Sequence, residues 1–137
     1  MRLTTFLFSL VAVSLLGFNS INTANNSDNT QRWKFIADKK VNFGLDRDVI
    51  HLGSFKDDFR KLQIKVTDGP VHILDMKVHF DNGDVQDVQI RARIAEGGAS
   101  RVIDLQGGLR HLSKIEFWYE TVGFVKGKAR VAVWGRQ

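Results

Sequence analysis

From Trp33 onward, apolar and polar residues alternate with a period of two, and that pattern constrains the fold more than anything else in the chain. Leu62, Ile64 and Val66 alternate with Lys61, Gln63 and Lys65. Leu74, Met76, Val78 and Phe80 alternate with Asp75, Lys77 and His79. Val88, Ile90, Ala92 and Ile94 alternate with Gln89, Arg91 and Arg93. Ile115, Phe117 and Tyr119 alternate with Glu116, Trp118 and Glu120, and Ala129, Val131 and Val133 with Arg130 and Ala132. Successive side chains of a strand point to opposite faces. Each run therefore predicts a strand with one face in a core and one in water.

Turn residues separate the runs: Asp68-Gly69-Pro70, Asp81-Asn82-Gly83-Asp84, Glu96-Gly97-Gly98 and Gly107-Gly108, with Gly123 and Gly127 further on. Seven or eight strands joined this way predict an all-β, antiparallel, jelly-roll-like β-sandwich over residues 32–137, with an open barrel as the alternative. A short turn of helix fits between Asp104 and Leu112. The single proline, Pro70, stands at a strand start, where its missing N–H does least harm.

Cross-strand partners share a face, so parity limits the pairings. Around Asn82-Gly83 it suggests Val78 opposite Val88 and Met76 opposite Ile90, with a three-residue loop or a bulge near Asp84. The outer face would then set Asp75 against Arg91 and His79 against Asp87. Further on, parity suggests Tyr119 opposite Val133 and Thr121 opposite Val131, which brings Trp118 opposite Trp134.

Before the strands, Met1-Arg2 and the apolar run from Leu3 to Phe18 read as a signal peptide over 1–24, with Ala24 the best small residue for cleavage. The run is shorter than the ~20 residues of a spanning helix, and an uncleaved anchor is the alternative. Residues 25–31 lack apolar groups and form a flexible lead-in, with a formal sequon at Asn25. The expected location is periplasmic or secreted, with no transmembrane segment once the signal is removed. The chain has no cysteine, so the exported domain must be held by its core. Its formal charge of +5 is spread along the chain. It implies at most a weak attraction to anionic surfaces, and without a basic stripe nucleic acid is not an expected partner.

Few motifs carry chemistry. His51, His72, His79 and His111 have no metal-ligand spacing, and His72 and His79, seven apart, should point to opposite faces of one strand. Asp46, Asp48, Asp57, Asp58 and the Asp81–Asp84 turn supply oxygens but match no calcium loop. Ser54, Ser100 and Ser113 lack a nucleophile elbow, and the glycine-rich segments at Gly97-Gly98 and Gly107-Gly108 read as hairpin ends. No metal, no cofactor and no catalytic residue is expected. Glu116 and Glu120 stand ~13 Å apart along a strand, too far for a glycosidase pair at ~5–9.5 Å. With Trp118 between them they suit a sugar-stacking face instead, to which Trp134 and Arg130 add. The plainer reading is that both rings simply cover the sheet.

The chain also resembles a group of small exported bacterial proteins catalogued as a domain of unknown function. The likeness spans roughly Val41 to Gly135. It lies in Asp46-Arg47-Asp48-Val49-Ile50, Phe59-Arg60-Lys61-Leu62, Val71 to Val78, Phe80-Asp81-Asn82-Gly83 and Glu96 to Leu105. Arg110, the Ile115–Tyr119 strand and Val131 to Gly135 complete it. It implies an envelope or secreted location and carries over no catalytic residue. The expected function is a non-catalytic binding or interaction module of the cell envelope, taking a glycan or cell-wall ligand at Trp118, Trp134, Glu116, Glu120 and Arg130. A hydrolase using the loop carboxylates Asp46, Asp48 and Asp104 is the enzyme alternative. A structural or stress-related protein working through contacts with another envelope protein is the third.

Overall fold

The structure is a computed structural model that describes residues 32–42, 44–53, 57–121 and 129–137. The signal-peptide, lead-in and sequon expectations fall outside these residues. The strands are β1 Lys34–Lys40, β2 Leu45–His51, β3 Lys61–Thr67, β4 Val71–Phe80 and β5 Val85–Val88. They continue with β6 Ala92–Ile94, β7 Ile103–Asp104, β8 Leu112–Thr121 and β9 Arg130–Arg136. All pair antiparallel in two sheets. One runs β1-β9-β3-β7; the other runs β2-β8-β4-β5, with β6 also on β4. The inward residues of both sheets form one core, in which Leu62, Val66, Val78, Ile115, Tyr119 and Val133 are completely enclosed. The antiparallel sandwich read from the alternation is the fold.

Three local features depart from simple alternation. First, the register of β4 on β8 shifts between Ile73 and Asp75, so a bulge sits at Leu74. An extra residue inverts the facing of everything beyond it. His72 pairs with Glu120 and His79 with Lys114, both on the outer face, which corrects the expectation that the two histidines face opposite ways. Second, β5 and β6 lie along the same edge of β4 but are interrupted at Gln89–Arg91, where Arg91 has φ 38°. Third, β4 and β5 close with Phe80 N–H donating to Asp84 at 2.9 Å, around a three-residue loop whose Gly83 has φ 91°. A left-handed glycine in a three-residue hairpin is the usual geometry.

That closure sets Met76 opposite Val88, Val78 opposite Gln86, and Lys77 opposite Asp87. The register expected from sequence is therefore displaced by two residues, with parity preserved. The inward partner of Val78 is a glutamine. Gln86 is buried and spends its polarity on the other sheet: its Nε2 donates to the Asp104 carbonyl at 3.0 Å and its Oε1 accepts from Gln106 N–H at 2.8 Å. The short helix expected between Asp104 and Leu112 does not form. Those residues turn instead, through Gly107 at φ 87° and Gly108 at φ 80°.

Candidate functional site

β8 and β9 belong to different sheets. The expected pairing of Tyr119 with Val133 is replaced by two others: β8 carries Trp118 between Arg47 and Asp75, and β9 carries Trp134 between Phe35 and Gln63. Tyr119 and Val133 are both inward and buried, but they meet the core from opposite sides. The two tryptophans consequently lie on opposite outer faces, and the five residues expected to share a site are divided. Trp118, Glu116 and Glu120 are on one face; Trp134 and Arg130 are on the other.

Around Trp118 the face is assembled from four strands. Arg47 and Val49 come from β2, Glu116 and Glu120 from β8, Asp75 and Lys77 from β4, and Asp87 from β5. Glu116 is buried, and both its oxygens are engaged within the protein. Oε2 accepts from Arg47 Nε at 2.9 Å and also from Arg47 Nη2; Oε1 lies 2.6 Å from His79 Nε2. The Arg47 hydrogen bond is the main reason the Glu116 carboxyl is held below its ordinary value; burial opposes it, and His79 assists. So Glu116 positions Arg47, whose guanidinium carbon stands 5.6 Å from the centre of the Trp118 ring. That is near the long end of cation–π contact. Glu120 is exposed and makes no hydrogen bond or ion pair among the described residues.

The bulge at Leu74 and the interruption of β5–β6 fall beside Trp118 and open a hollow of about 390 Å³. Trp118 forms one wall, and Met76 and Val88, whose side chains belong to the core, also border it. Asp75, Lys77, Asp87 and Gln89 supply carboxylates, an ammonium and an amide. Lys77 and Asp87 stand 3.7 Å apart. The sequence reading found Trp118 but missed these four. Their proximity depends on β4 lying beside β8 and on the bulge, neither of which leaves a composition signal. Another hollow, of about 290 Å³, is lined by Phe80, Asn82, Leu109, Arg110 and His111 among others. There the Arg110 guanidinium is already spent on Asn82, Asp84 and the Gln106 carbonyl, with Phe80 beneath it at 3.8 Å.

On the far face, Arg130 Nε donates to Asp38 at 2.9 Å, which holds the guanidinium in its charged form. The carboxylates of the hydrolase alternative are dispersed. Asp46 accepts from Asn42 Nδ2 at 2.7 Å and from Arg47 N–H at 2.8 Å. Asp48 pairs with Lys39 at 2.9 Å and accepts from the Tyr119 hydroxyl at 2.8 Å. Asp104, on β7 at an edge of the other sheet, pairs with Lys61 of β3. Among the described residues no group of three or more His, Asp or Glu is placed to hold a metal.

The family model for a domain of unknown function, DUF2541, matches residues 8–135. The chain belongs to that family. No curated protein matches this DUF2541 chain. Among solved structures it is similar to Pseudomonas aeruginosa AlgX, at 15% identity and a TM-score of 0.46. The likeness covers 77% of the DUF2541 chain and 27% of that one. No helix among the described residues of the DUF2541 domain is long and apolar enough to cross a membrane.

Proposed function

We propose that this domain is a non-catalytic binding module of the cell envelope, and that it takes a carbohydrate or cell-wall glycan in the hollow beside Trp118. One observation carries the reading. An indole ring and the polar groups of Asp75, Lys77, Asp87 and Gln89 line the same hollow of about 390 Å³. Small-ligand sites combine an apolar wall with a few convergent polar groups in volumes of roughly 300–1,000 Å³. A pyranose has the matching chemistry: an apolar C–H face for the ring, and hydroxyls for the carboxylates and the amide. Glu120 and Arg47 border the same face as outer contacts. Trp134 and Arg130 lie on the opposite face and are outside this site.

The test is a thermal-shift panel of soluble glycans and cell-wall fragments on the purified domain. A ligand at a hundred times its dissociation constant adds ~2.7 kcal/mol. At ~4 °C or somewhat more per kcal/mol, that is a rise of roughly ten degrees. Trp118→Ala should weaken the responding glycan at least about tenfold, and Trp134→Ala should leave it unchanged. A full response in the Trp118→Ala protein would refute the site. A flat panel would refute the glycan reading and direct the search to a protein partner, by crosslinking in the envelope.

A further inference from the structure

The two outer faces differ in charge. On the Trp118 face, Arg47, Lys77, Arg93 and Lys114 are balanced by Asp75, Asp87, Glu116 and Glu120. On the strands of the other face, Lys40, Lys61, Lys65, Arg130 and Arg136 stand against Asp38 and Asp104, with Asp68 of the β3–β4 turn near Arg130. The excess positive charge is thus concentrated on one sheet, although in sequence it is scattered over three strands.

The same face gathers aromatic rings at one end. Phe35 and Trp134 are cross-strand partners, with ring centres 5.6 Å apart and an interplanar angle of 73°. Trp33 lies beside Arg136, whose guanidinium carbon is 4.9 Å from the indole centre. Lys65 Nζ stands 4.2 Å from the centre of the Trp134 ring. Each of these indoles thus carries a cation over one of its faces. Phe35 is 48% exposed, an apolar ring at the edge of this face.

We infer that this face docks on an anionic lipid bilayer, seating Phe35 and the edges of Trp33 and Trp134 among the headgroups while the cations meet phosphate. Aromatic rings with an apolar body and a polar tip settle at the headgroup level. Basic residues near an anionic leaflet add attraction that falls off within a Debye length. Charge complementarity selects the occupant: the outward strand residues of this face carry a net charge of three positive, spread across three neighbouring strands and a short edge strand. The contact is peripheral and reversible, and it leaves the Trp118 face turned away from the membrane. It does not depend on the glycan reading.

The experiment is co-sedimentation of the purified protein with vesicles of phosphatidylcholine, and of equal parts phosphatidylcholine and phosphatidylglycerol, between 50 and 500 mM salt. Binding is expected on the anionic vesicles only, and it should fall steeply with salt. Each basic residue removed should weaken partition about fivefold. Lys65→Gln with Arg136→Gln therefore costs roughly twenty-five-fold, and Phe35→Ser weakens partition without altering its salt dependence. Arg93→Gln with Lys114→Gln removes the same charge from the opposite face and should change partition less than about twofold. Melting curves confirm that each variant is folded. Equal losses from the two double variants would show that net charge, not this face, is read. No binding to anionic vesicles would also overturn the inference, whether or not soluble dextran sulfate binds.

Discussion

Gly135 and Phe59 make the sharpest test of how the core is packed. Gly135 lies on β9, inward-facing, opposite Leu62 and Lys34. A β-carbon added there would stand 2.4 Å from one Phe59 ring carbon and 2.7 Å from two others. Carbon atoms pack at about 3.5–4.0 Å, so the ring would have to retreat by roughly an ångström. It has little freedom to do so. Phe59 is 1% exposed, and its backbone is tied to Arg110 by reciprocal hydrogen bonds of 2.9 and 2.8 Å. Overpacking of this kind costs about 1–3 kcal/mol. In a domain of this size, Gly135→Ala should lower the melting point by roughly 4 °C or more per kcal/mol. Urea denaturation gives the free energy directly. If the collision is the cause, Phe59→Leu, which removes ring atoms, should recover part of the loss. The double variant would then be less destabilised than the sum of the singles by at least about 0.5 kcal/mol. Unchanged stability in Gly135→Ala, or strict additivity with Phe59→Leu, would refute the packing described here.

Three other perturbations address buried polar groups. Tyr119→Phe removes a hydroxyl that accepts from Asn42 N–H at 2.8 Å and donates to Asp48 at 2.8 Å; it should cost about 1–3 kcal/mol in urea melts. Burial, with Asp48 close by, pushes the Tyr119 hydroxyl well above its usual range, so absorbance titration should show no phenolate from it near pH 10 while the domain is folded. Gln86→Ala strands Gln106 N–H and should cost about 1–3 kcal/mol, with the greatest rise in amide exchange at residues 104–106. Glu116 gives a pH effect of definite sign. Its folded value lies below its ordinary 4.5, so the unfolded chain binds the proton more readily. Its contribution is fully present above about pH 4.5 and is lost as pH falls through the folded value. Glu116→Gln should therefore flatten the acid limb of stability against pH, as read by urea melts from pH 3 to 7, and an unchanged limb would show that other carboxylates set it.

The long strands, and their facing away from the Leu74 bulge, were legible because burial on one face writes itself as alternation. Neighbours were not. Ile115, Phe117 and Tyr119 face the same core as Val131 and Val133, and parity is satisfied equally by pairing β8 with β9 or by setting them across the sandwich. That ambiguity, and nothing about the rings themselves, placed Trp118 beside Trp134 in the sequence reading. The Leu74 bulge left no signature because leucine suits a core position. The β4–β5 register was displaced because Gln86 faces inward, and a buried amide satisfied by the backbone of the other sheet looks in sequence like a solvent residue. The hollow beside Trp118 arises from these same irregularities, so the candidate site was the least readable part of the chain.

The strand order has a consequence for how the chain folds. β9 lies in the middle of its sheet, between β1 and β3, although it is the last strand to be synthesised. Until residues 130–136 exist, β1 and β3 have no partner to join them. β4 can pair early with β5 and β6, from local contacts, and the β2–β8–β4 pairings can follow before β9 exists. A topology dominated by such distant pairings closes slowly, on the order of milliseconds to seconds, and leaves hydrophobic strand faces unburied while it waits. β1, and the edge of β3 that β9 will cover, therefore stay open until the end of the domain arrives.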